Sequence, residues 1–82
     1  MKIGDYVQIV RQSKTYNPHI TNIGYYGIVE DFNDFAVQCQ WVCEDFDLPS
    51  YGAVDRDCVI SCTTNEIPDK LYYKLTGRYK NV

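Results

Sequence analysis

Phe35-Ala36-Val37-Gln38-Cys39-Gln40-Trp41-Val42-Cys43 decides the fold class. Large apolar or thiol side chains occupy every second position, with Ala36, Gln38, Gln40 and Val42 between them. Successive side chains of an extended chain point to opposite faces. This spacing therefore predicts a strand that buries Phe35, Val37, Cys39, Trp41 and Cys43 on one face. Just before it, Asn33-Asp34 reads as a tight hairpin turn. The strand on the far side of that turn runs from about Tyr25 to Phe32. Gly27 lies inside it, which marks a bulge, a bend or a close approach of backbone.

Further out, Asp5-Tyr6-Val7-Gln8-Ile9-Val10 alternates as a first strand, with Val7 and Ile9 on one face. Residues 11–24 lose all periodicity: Ser13, Asn17, Pro18, Asn22 and Gly24 are turn formers, and a long irregular loop of this kind often binds something. On the other side, residues 44–52 form an acidic connection in which Phe46 and Leu48 are placed to pack back on the body. Pro49 argues against a central strand there. Ala53-Val54 starts a short strand, Asp55-Arg56-Asp57 makes a turn, and Val59-Ile60-Ser61-Cys62-Thr63 forms the last strand. Glu66-Ile67-Pro68-Asp69 then opens a helix. Leu71 and Leu75 fall four apart along it, as do Lys70 and Lys74, and Gly77 ends it.

The composition agrees with this reading. Among 82 residues, Val and Ile number 15 against 3 Leu and 2 Ala, beside 8 Tyr, 3 Phe and 1 Trp, an inventory of strand formers. No apolar run approaches the ~20 residues that span a bilayer. Met1-Lys2-Ile3-Gly4-Asp5 has no apolar signal core, so a soluble, cytoplasmic domain is expected. Five short strands with tight turns suit a small barrel. Residues 1–66 are expected to form it, with 67–82 as a helix and tail packed on the same domain. Val7, Ile9, Val29, Val37, Trp41 and Ile60, completed by Cys39, are expected to fill its interior.

Gly4-Asp5-Tyr6-Val7-Gln8-Ile9, a variable loop and then Gly24-Tyr25-Tyr26-Gly27-Ile28-Val29 resemble the opening of SH3-like barrels of the KOW kind. Through residue 62 the pattern is also similar to the accessory barrel of photosystem I and to the variable subunit of ferredoxin–thioredoxin reductase. The resemblance implies a mainly β, SH3-like five-stranded small barrel with a short C-terminal helix, and a docking role without catalysis. Charge departs from these families. KOW domains meet RNA through basic loops, and the photosynthetic barrels dock acidic partners such as ferredoxin. Here residues 30–69 carry ten acids against Arg56 alone.

Residues 1–29 carry a net +2 and residues 70–82 a net +4, so the overall −3 hides an acidic middle between two basic ends. Such a middle is poorly suited to phosphates and well suited to a basic protein surface. The plainer reading is a solvated acidic surface. Cys39, Cys43, Cys58 and Cys62 give C-x3-C twice. A four-residue offset on a strand separates the two thiols by roughly 13 Å, so they read as small reduced hydrophobes rather than zinc ligands. Cys39 and Cys62 are taken as cross-strand neighbours that could oxidise in an oxidising compartment. His19 is the only histidine and has no nucleophile or orienting acid beside it. The pairs Glu30/Asp31 and Glu44/Asp45 point to opposite faces if extended, and Ser13, Ser50 and Ser61 lack a nucleophile-elbow setting. No catalytic residue, metal site or cofactor site is assigned, and no enzymatic activity is expected.

The leading expectation is a protein-binding module that uses Tyr16, Pro18 and His19 of the long loop with Asp45, Asp47, Tyr51 and Asp55. Exposed tyrosines offer rigid apolar area plus a hydroxyl, with Tyr6 and Tyr25 or Tyr26 as further candidates. Its specific form is an acidic inhibitor or accessory subunit docked on a nucleic-acid-handling protein, the general form of small acidic phage-encoded antagonists. The alternative is KOW-like nucleic-acid binding through Lys70, Lys74, Arg78 and Lys80, interleaved with Tyr72, Tyr73 and Tyr79. Those same lysines would also serve a helix docked on an acidic body. A third expectation, an accessory subunit of an electron-transfer complex, follows from the resemblance alone.

Overall fold

A computed structural model describes residues 1–12, 23–45 and 49–80. It contains strands β1 (Tyr6–Ile9), β2 (Tyr26–Phe32), β3 (Ala36–Val42), β4 (Ser50–Asp55) and β5 (Val59–Ser61), followed by helix α1 (Asp69–Thr76). All neighbouring strands are antiparallel, in the order β4-β3-β2-β1-β5. The fold is mainly β with one short C-terminal helix, as the sequence implies. The loop residues Tyr16, Pro18 and His19, with Phe46, Asp47 and Leu48 of the acidic connection, lie outside the described residues.

One face of the sheet gathers residues from all five strands into a single cluster. Val7, Ile9, Val29, Val37, Cys39, Trp41, Val54 and Val59 form it, with Tyr25 and Cys43 from the strand ends and Phe32 packed alongside. The alternation of β3 holds from Val37 to Cys43. Trp41 is fully buried, and its indole N–H donates to the Gly52 carbonyl at 3.0 Å, so the one polar atom of the largest core side chain is satisfied. Gly27 lies across from Trp41, and a Cβ there would stand 2.6 Å from the ring. The glycine is a close approach; the bulge of β2 falls later, between Val29 and Asp31.

The opposite face of the sheet carries the helix. Leu71 and Leu75 pack with Ile67 and Val42, flanked by Tyr6, Tyr26, Ile28, Cys62 and Tyr72. Thr63 and Glu66 form a capping box on the turn before it, and the helix ends at Gly77 with φ 74°, a left-handed cap that favours glycine. It begins at Asp69, with Pro68 as its N-cap residue.

Four details of the sequence reading change. Phe35 is outside the core and 82% exposed, because Asn33 pairs with Ala36 and the corner of the hairpin falls at Asp34-Phe35. Ile60 is 46% exposed, because its register partner is Gln8 on the outer face; Val59, opposite Ile9, takes the interior position. Cys39 and Cys62 are not neighbours: Cys39 belongs to the interior cluster and Cys62 packs beneath the helix. β4 is longer than expected: it starts directly after Pro49 and runs to Asp55, and a 3-10 turn at Arg56–Cys58 then leads to β5 at the other edge of the sheet. Pro49 is compatible because β4 is an outer strand and Pro49 precedes it.

Candidate functional site

Acidic residues come together at the β2–β3 turn. Glu30, Asp31 and Asp34 are all exposed there. β4 runs back alongside β3 so that Asp55 faces Ala36, which brings Asp55, Arg56 and Asp57 to the same end of the sheet. The bulge after Val29 removes Glu30 and Asp31 from strict alternation, and both side chains reach solvent. Among the described residues, Glu30, Asp31, Asp34, Asp55 and Asp57 lie toward this end with Arg56, and exposed Arg11, whose N–H donates to the Cys58 carbonyl, is a second cation next to Asp57.

Arg56 is tied into the turn. Its backbone N–H donates to the Phe35 carbonyl at 2.9 Å, and its Nη1 donates to the Asn33 carbonyl at 3.0 Å. The guanidinium lies 5.3 Å from the centre of the Phe32 ring. Asn33 closes the corner from within: its Oδ1 accepts the N–H groups of Phe35 at 2.8 Å and Ala36 at 2.9 Å. Asp31 Oδ1 accepts the Phe32 N–H at 2.8 Å. Beside the turn lies a shallow depression of about 310 Å³, lined by Asp31, Phe32, Asn33, Ala36, Gln38 and Ala53.

The residues singled out from the sequence are divided by this geometry. Asp55 is at the hairpin end, whereas Asp45 follows the far end of β3, about 20 Å or more away along the strand. Tyr51 is 61% exposed and faces Gln40 midway between them. The stretch 44–57 is thus no single strip. Reading acids along the chain rather than across the turn misses Glu30, Asp31, Asp34 and Phe35 as a group. The signal that points to them is three acids within five residues flanking Asn33.

The basic tail is largely engaged with its own domain. Lys74 Nζ donates to the carbonyls of Cys43 and Glu44, at 3.3 Å each. Lys80 Nζ donates to the Ile67 carbonyl and pairs with Asp69 at 3.2 Å. Lys70 and Arg78 are exposed. Tyr73 and Tyr79 stack with ring centres 4.5 Å apart, while Tyr72 leans on Tyr6. Tyr6 is half-buried, and burial pushes its hydroxyl pKa up, with Tyr72 adding to the shift. Tyr25 is buried, and burial and its hydrogen bond with Cys43 push its pKa up to about 12.

The four thiols are free and do not converge. Burial pushes Cys39 up to about 12 and Cys62 up to about 11, with smaller contributions from Glu30 and Glu66 respectively. Cys58 is raised as well, by burial first and then by Asp57, to whose Oδ1 its thiol donates at 3.7 Å. Near neutral pH Cys39, Cys58 and Cys62 are thiols, not the thiolates that attack carbon or bind soft metals. Asp55, Asp57 and Cys58 do bring ligating atoms within 4.8 Å of one another, as a hydrogen-bonded corner beside Arg56. No helix among the described residues is long and apolar enough to cross a membrane. Compared with protein-family models, with curated proteins and with solved structures, the chain gives no match.

Proposed function

We propose that this protein is a non-enzymatic, SH3-like binding module that docks on a basic surface of a partner protein through the hairpin end of its sheet. The observation that carries the reading is the placement of exposed Glu30, Asp31, Asp34 and Asp57, with Asp55, toward one end of the sheet, where Arg56 is bonded internally. Such a field attracts a basic partner and repels phosphate backbones. Thiols held protonated by burial fit a binding role better than a catalytic one. The specific form is an inhibitor that places this end in a Lys- and Arg-lined channel of a nucleic-acid-handling protein. An electron-transfer accessory role would be the same docking with a different partner.

The nucleic-acid alternative has less support, because Lys74 and Lys80 are committed to carbonyls and to Asp69. Its remaining surface is Lys70 and Arg78 beside the Tyr73–Tyr79 stack.

The test is capture of partners from nuclease-treated lysate of the source cells by the wild-type protein and by Asp31→Lys/Asp34→Lys. A basic protein held by the first, lost with rising salt and absent from the second is expected. Equal capture by both would falsify the acidic face as the docking surface.

A further inference from the structure

Phe35 has the most exposed large hydrophobic side chain of the described residues, at 82%. A single exposed apolar residue is ordinary; this one differs in how its backbone is held. The Phe35 N–H and the following Ala36 N–H both donate to Asn33 Oδ1. The Phe35 carbonyl accepts the Arg56 N–H, and Arg56 Nη1 reaches back to the Asn33 carbonyl. Arg56 lies over Phe32, and Phe32 packs against the interior cluster. The ring therefore projects from a corner fixed to the sheet on one side and to the 3-10 turn on the other. Little loop entropy remains to be lost when such a residue binds.

The surroundings of the ring define its complement. Asp34 precedes it, Asp31 and Glu30 lie just behind it on β2, and all three are exposed. Binding hot spots commonly pair a buried aromatic anchor with a polar rim. Here the rim is anionic, so the matching surface is an apolar pocket edged with Lys or Arg. A second copy docked through the same end would set like charges against each other, and a nucleic acid or an anionic membrane would be repelled.

Resting on the docking reading above, we propose that Phe35 is its anchor. The ring enters an apolar pocket of a partner protein, and cations on the pocket's rim meet Asp34 and Asp31, one of them seated in the depression beside Asp31. Arg56 is a positioning residue: it holds the corner and touches no partner atom.

The experiment places a photo-crosslinker at the anchor, Phe35→p-benzoylphenylalanine, and irradiates the protein in lysate of its source cells. Tyr79→p-benzoylphenylalanine serves as the control. One dominant protein adduct at position 35 is expected, mapping to an apolar site flanked by Lys or Arg and falling at least tenfold when Asp31→Lys/Asp34→Lys is added. With the partner so identified, Phe35→Ala should weaken its affinity by about 30-fold, the scale of a hot-spot anchor. Arg56→Ala should weaken it several-fold and speed amide exchange at Phe35 and Ala36. Arg56→Lys, which keeps the charge but not the fork, should restore only part of either.

An adduct to nucleic acid, an adduct to a second copy, or no adduct above the Tyr79 control would overturn the anchor. Where charge reversal abolishes capture and Phe35→Ala does not, the acidic face stands and the anchor falls. Where neither variant changes capture, both readings fall together.

Discussion

At the helix end of the molecule, Lys74 and Lys80 direct their ammonium groups at backbone carbonyls and at Asp69. At the hairpin end, Glu30, Asp31, Asp34 and Asp57 stand exposed, and Arg56 is bonded internally. The apolar side chains divide in the same way: Leu71 and Leu75 are buried on the sheet, while Phe35 is held out in solvent. Much of the charge and apolar area at the helix end therefore answers needs inside the domain, with Lys70, Arg78 and the Tyr73–Tyr79 pair left exposed. At the hairpin end both are left in solvent, and the proposed docking reading assigns them to a partner.

The sharpest way to break this comparison is to delete residues 69–82. Ile67, Val42, Ile28 and Tyr26 would lose the helix that covers them. An 82-residue domain has a thin core, so loss of cooperative urea unfolding is expected. A truncated chain with an unchanged midpoint would mean a detachable helix, whose cations would then be available to nucleic acid. Next in size is Leu71→Ala, at about 2–4 kcal/mol for a buried leucine. Lys74→Met should cost about 1 kcal/mol, since charged hydrogen bonds to two carbonyls are lost at a partly exposed site.

Alkaline pH tests the interior. Cys39 and Tyr25 are both pushed up to about 12 in the folded chain, from 9.0 and 10.0 respectively. The native state keeps protons that the unfolded chain releases, so it binds more protons over this interval. Stability is then fully present below pH 9 and lost as pH climbs from about 9 toward 12. The urea midpoint should fall between about pH 8 and about pH 11. Cys39→Ala, although less stable throughout, should show a smaller fall.

The strands and much of the interior are legible because alternation is a local signal. Val37, Cys39, Trp41 and Cys43 can be assigned from spacing alone, whereas Gly27 signals a bulge, a bend or a close approach, and only Trp41 placed opposite it selects the last. Errors arise where register decides. Phe35 belongs to the same alternation as Val37, yet the corner at Asp34-Phe35 removes it from the strand. Ile60 and Val59 are equally apolar, and only the pairing of Ile60 with Gln8 turns Ile60 outward. The acidic site is harder still, since Asp31 and Asp55 are far apart in the chain and come to the same end of the sheet only because β4 returns along β3. Chain order favours 44–57 as the docking strip; the hairpin puts Asp45 at one end and Asp55 at the other.

The smallest expected effects discriminate most finely. Phe35→Ala should change stability in urea by no more than about 0.5 kcal/mol, because its ring is exposed and the corner is held by backbone and Asn33 contacts. Asp34→Asn should leave stability unchanged or raise it by a few tenths of a kcal/mol, an effect that salt diminishes, since it relieves repulsion from Asp31. A loss above about 1 kcal/mol in either variant would show that the hairpin end also serves the fold. Phe35 would then be a structural residue that happens to be exposed, and the contrast between the two ends would lose its meaning. Neutral stability joined to a large loss of binding is the combination that an anchor predicts and that structural residues such as Leu71 and Lys74 do not produce.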